Sequence, residues 1–124
     1  MTLWVVKIGT SLLRGETAAT IEGYACCFAA AMARGDQVVL VTSGAVGLGC
    51  QKLSLSSRPD TVVALQAAAA IGQGALMALY EGAMARHGRS VAQVLLTRSD
   101  LADRRRYQNA SNTLRQLLGW GFCR

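Results

Sequence analysis

Histidine and proline are nearly missing from this sequence, with one of each in 124 residues. A single proline excludes a proline-rich linker. One histidine and the absence of any C-x-x-C pair exclude a zinc framework. The four cysteines, Cys26, Cys27, Cys50 and Cys123, include an adjacent pair unsuited to bridging, so a secreted disulfide scaffold is also excluded. They read instead as buried, inert thiols of a reduced, cytoplasmic protein. No basic segment precedes the apolar run at the N-terminus, so it does not read as a signal peptide. The thirteen glycines follow no G-x-y period, which excludes collagen. Acidic residues are scarce too: seven against thirteen Lys+Arg, for a net charge of +6.

What is present is apolar. At 52% hydrophobic and 16% charged, the chain is not disordered. Its length suits one small domain, or part of a larger one. Leu3 to Ile8 and Gln37 to Thr42 are short, valine-rich runs that read as strands buried on both faces, and Val91 to Leu96 reads as a third. Between them lie an alanine-rich helix from about Thr17 to Arg34, closed by Gly35, and a long helix capped by Asp60 or Thr61 and ending near His87 and Gly88. A short helix follows Ser43 to Gly49, Thr97 to Asp103 reads as a loop, and a last helix runs from about Tyr107 to Leu118. Strands alternating with helices predict an α/β fold, a three-layer αβα arrangement around a mostly parallel sheet. Val62 to Ala85 is the most membrane-like stretch. It is built of alanine and glycine and broken by Gln66, Gln73 and Glu81, so no membrane span is expected.

Open parallel sheets bind ligands at the carboxyl ends of their strands. Three segments are expected there: Lys7-Ile8-Gly9-Thr10-Ser11, Thr42-Ser43-Gly44-Ala45 and Thr97-Arg98-Ser99-Asp100. Lys7 is a charge at the end of an apolar strand. It suits an anionic ligand, or it reaches water past the strand end. Gly9 admits a ligand close to the backbone, and Thr10 and Ser11 add hydroxyls. Ser43 and Gly44 repeat that logic, the alternative being a serine that caps the following helix. Gly44, Gly47 and Gly49 reverse the spacing of a dinucleotide fingerprint, and no Walker sequence is present. Asp100 and Asp103 read as helix caps, so no metal site is expected. Arg104-Arg105-Arg106 beside Tyr107 suits nucleic acid, but a solvated face or subunit contact is the simpler reading.

These residues resemble the amino-acid kinase family. Val5 to Ser11 is similar to its opening strand and phosphate turn, and Val39 to Ala45 to its second strand and substrate turn. Gln93 to Asp100, together with Tyr107, Asn109, Ala110, Thr113, Leu114 and the run Ala69 to Gly74, resembles the bacterial members that act on L-glutamate. The resemblance implies transfer of phosphate from ATP, carried with Mg²⁺, to the side-chain carboxylate of L-glutamate, the first step of proline synthesis. It implies a catalytic and phosphate-binding Lys7, phosphate contacts from Gly9, Thr10 and Ser11, and glutamate contacts from Ser43 and Gly44. No tightly bound cofactor is implied. It also implies that residues 1–124 form the N-terminal, substrate-side part of a truncated kinase domain without its nucleotide-binding half, inactive alone. The partners expected are L-glutamate and ATP, with a second copy or a complementary C-terminal half to cover the sheet. A non-catalytic interaction fragment and a small basic nucleic-acid-binding module are the rival readings.

Overall fold

The computed structural model describes residues 1–9 and 17–121. Strand β1 (Leu3–Ile8) leads to helix α1 (Thr17–Ala33), strand β2 (Gln37–Thr42) and the short helix α2 (Ala45–Lys52). Helix α3 (Val62–Ala85) is the longest element, and α4 (Arg98–Ala102) and α5 (Arg104–Gly119) follow. β1 and β2 pair in parallel, from Leu3 opposite Gln37 to Ile8 opposite Thr42.

The chain ends each element where its sequence directs. Gly35, at φ +91°, closes α1, and its amide donates to Met32 O at 3.0 Å. Asp36 then ties the N-terminus down. Its carboxylate accepts from the Thr2 amide at 2.9 Å and the Trp4 indole at 3.0 Å. Thr61 rather than Asp60 caps α3, accepting from the Ala64 amide at 3.2 Å. Gly88, at φ +68°, turns the chain away beyond Arg86.

The core lies between one face of the sheet and helices α1 and α3. Ile8 and Val38 meet Ile21, Phe28, Leu76 and Met84 there. Strand alternation explains the choice, because Val6, Ile8, Val38 and Leu40 share that face. Burial on both faces is not what the structure has. The opposite face carries Leu3, Val5 and Val41, each at least half exposed, because no element among the described residues packs on it. An ion pair between Arg86 and Glu22 joins α3 to α1 at the surface.

Helix α3 is long and apolar enough to cross a membrane by length and composition. Its buried residues, from Ala68 through Gly72, Leu76 and Tyr80 to Met84, form one stripe that packs against α1, α2 and the sheet. Gly72 and Gly49 make the α2–α3 crossing very close. A Cβ at Gly49 would fall on the Ala68 carbonyl, and one at Gly72 on the Ala45 carbonyl.

Three expectations need correction. Val91 to Leu96 is not a third strand; Val91 makes one isolated bridge and residues 92–96 run without a ladder. Instead that segment and the free edge of β2 face each other across a cleft of about 360 Å³ floored by Met77, Tyr80 and Met84. Thr97 to Asp103 is not merely a loop. Thr97 and Asp100 build a reciprocal capping box that starts α4, and Asp103 caps α5 by accepting from the Arg106 amide at 2.9 Å. Finally, Cys26 and Cys27 are exposed thiols, since α1 turns Ala25 and Phe28 inward and the two positions between them outward.

Candidate functional site

The two strand ends meet as expected. Past the last paired residues, Ile8 and Thr42, the Ser43 amide donates to the Ile8 carbonyl at 3.3 Å. The ladder thus runs one residue further and sets the Ser43-Gly44 turn beside Gly9. Gly44 takes φ +112°, ψ 1°, a left-handed conformation that disfavours any residue with a Cβ. It is the N-cap of α2, and its carbonyl accepts from the Leu48 amide at 3.1 Å. A glycine cap brings no side-chain oxygen to the first-turn amides. Those amides, with the helix dipole behind them, are a donor set of the kind that suits an anion. Ser43 precedes the cap instead of forming it, and it is exposed.

Lys7 pairs with Val41 in the ladder and is exposed. Its neighbour Ile8 is buried in the core, so Lys7 projects from the opposite, open face, together with Val5 and Val41. Period-two alternation assigns Ser43 to that same face. Among the described residues Lys7 joins no ion pair. An ammonium on the open face, a serine hydroxyl and the backbone amides that follow Gly44 are donors of the kinds that suit carboxylate and phosphate oxygens. Among the described residues no heavy atom lies within 4 Å of where a Cβ on Gly9 would stand. Thr10 and Ser11 lie outside the described residues.

The third segment expected at the strand ends is committed elsewhere. Asp100 Oδ2 accepts from the Thr97 amide at 2.8 Å and from its hydroxyl at 2.9 Å. Those two bonds, helped by the Arg106 charge, hold the Asp100 carboxyl below its usual value. It serves as a cap in the capping box. Arg106, Asn109 and Thr113 line a shallow hollow of about 280 Å³ next to it. Among the described residues no group of three or more His, Cys, Asp or Glu could hold a metal ion.

Tyr80 carries no motif in the sequence, whereas Gly72 lies in the small-residue run Ala69 to Gly74, which suits a close helix approach. Tyr80, buried on α3, sets its hydroxyl 3.4 Å from Thr42 Oγ1. Gly72, two helical turns earlier, lies under Ala45. Their spacing on one face of a long helix was the available signal, but only the fold identifies α2 and β2 as what that face meets.

Residues 2–123 match the model of the amino acid kinase family. The chain is 90% identical over 121 residues to a glutamate 5-kinase of Synechococcus sp. (strain CC9605), 98% of this chain and 34% of that protein. It is 85% identical to one of Synechococcus sp. (strain CC9902) and 78% identical to one of Parasynechococcus marenigrum (strain WH8102), with the same coverage. The chain therefore spans about a third of the length of these curated relatives.

Proposed function

Because this chain belongs to the amino acid kinase family, we propose that it forms the glutamate side of a glutamate 5-kinase. The proposed reaction transfers the γ-phosphoryl group of ATP, as its Mg²⁺ complex, to the side-chain carboxylate of L-glutamate. A carboxylate oxygen attacks the γ-phosphorus, the bond from that phosphorus to the β–γ bridging oxygen breaks, and ADP leaves. The product is γ-glutamyl phosphate, which opens proline synthesis in the cytoplasm.

The observation that carries the reading is the junction of Gly9 with Ser43 and Gly44 at one end of the sheet, with Lys7 on the adjoining open face. The attacking carboxylate, with a usual value of about 4.3, is already ionised near neutral pH, so no protein base is needed. The catalytic problem is to bring two anions together and to stabilise charge on the group in flight. Lys7 supplies a point charge for the transferring phosphoryl group, joined by Gly9, Thr10 and Ser11. Ser43 and the amides after Gly44 hold the substrate. Adenine and ribose fall to the remaining two thirds of the relatives' length, so the chain alone is not expected to turn over. The high identity to glutamate 5-kinases favours this over a nucleic-acid module or a non-catalytic fragment.

The test is to fuse the chain in frame to the remainder of the 90% identical relative and follow glutamate-dependent ADP release. Turnover is expected, and Lys7→Ala abolishes most of it. Full turnover in the Lys7→Ala fusion would rule the reading out.

A further inference from the structure

One helix grips the Ser43-Gly44 turn from both flanks. Just before the turn, Thr42 Oγ1 lies 3.4 Å from the hydroxyl of Tyr80, which is 3% exposed. Just after it, Ala45 lies against Gly72, where a Cβ would collide with the Ala45 carbonyl and come within 2.6 Å of the Gly49 amide nitrogen. Gly72 and Tyr80 both belong to the buried stripe of α3. Gly44 itself brings no side chain to cap α2. An interior helical glycine is destabilising relative to alanine, so Gly72 needs a packing reason. The close crossing provides it.

We propose that Gly72 and Tyr80 are positioning residues that hold the Ser43-Gly44 turn in its ligand-binding geometry, Gly72 by letting α3 reach the start of α2 and Tyr80 by fixing the end of β2. This rests on the reading of that turn as the glutamate-binding surface. Gly74, on the same helix, has no heavy atom within 4 Å of its Cβ position and sits outside the brace. The two glycines thus separate a clamp on the turn from a general effect of helix composition.

The experiment is residue-resolved amide hydrogen exchange on the 124-residue chain, with L-glutamate titrated into each variant. Gly72→Ala overpacks the crossing and is expected to lower protection at the Ser43 and Leu48 amides roughly tenfold or more, leaving the β1–β2 ladder unchanged. L-Glutamate binding weakens by a similar factor, and Gly74→Ala changes neither readout. Where Gly72→Ala does not fold, Tyr80→Phe removes only the hydroxyl and is expected to lower protection at Ser43 while the ladder holds. Loss spread evenly over turn and ladder, or no local loss in either variant, overturns the brace. A wild-type chain that is protected at the turn but does not bind L-glutamate overturns the glutamate reading and leaves the brace standing.

Discussion

The Ser43 amide donates to the Ile8 carbonyl at 3.3 Å, one residue beyond the last paired position of the sheet. That bond sets the Ser43-Gly44 turn after β2 beside Gly9 at the end of β1. Lys7 stands on the adjoining open face of the sheet.

Lys7 and Ser43 are expected to separate in kinetics. In the fused enzyme, Lys7→Ala removes charge stabilisation from the transferring group and lowers kcat by about 10²–10³, with a small change in the KM for glutamate. Ser43→Ala removes a hydrogen bond to a charged substrate and raises that KM by roughly tenfold or more. Steady-state kinetics over a glutamate series checks both.

Acid should loosen the N-terminus through Asp36. The Trp4 indole bond, then the Thr2 amide bond, then Arg34 hold its carboxyl below the usual value in the folded chain. A depressed folded value means that the stabilisation is complete above the unfolded value and is lost as pH falls through the folded one. Urea midpoints of wild type and Asp36→Asn should therefore differ near pH 6, begin to approach each other near the unfolded value of about 4, and converge only below the depressed folded value. A gap that persists at low pH contradicts this.

The α3 cap gives a plain stability prediction. Thr61→Ala leaves the Ala64 amide without its acceptor and should cost about 1 kcal/mol, whereas Thr61→Ser retains most of that. Chemical denaturation of the three chains checks it.

Glycines within helices should divide by position. Gly74→Ala meets no neighbour and should stabilise the chain by about 0.5–1 kcal/mol through helix propensity. At Gly49, on α2, the added methyl meets the Ala68 backbone, and Gly49→Ala should destabilise by about 1–3 kcal/mol. Thermal midpoints of opposite sign are expected.

Much of this was legible in the residues. Strands β1 and β2 are continuous apolar runs, and Gly35 and the Asp60-Thr61 pair mark helix ends in the sequence. The candidate site was read from two strands with glycine just beyond their ends, Gly9 after β1 and Ser43-Gly44 after β2. Val91 to Leu96 misled because an apolar run has the same local pattern whether or not it is paired, and pairing depends on the rest of the fold. The start of α4 was visible as Thr97-x-x-Asp100, a capping pattern that also has the look of a polar loop. Cys26 and Cys27 were misjudged because α1 is apolar nearly all round, so composition does not fix which side faces the sheet. Gly72, in the small-residue run Ala69 to Gly74, was legible as a close-approach residue, but which element it meets depends on the fold, and Tyr80 carries no motif at all.

The most direct measurement titrates L-glutamate into the isotopically labelled 124-residue chain and follows backbone amide resonances. Saturable shifts at Gly9, Ser43, Gly44 and Ala45, moved to roughly tenfold or more higher L-glutamate by Ser43→Ala and absent from α5, are predicted. Shifts confined to Arg104, Arg105 and Arg106, or none at the strand ends, contradict the account.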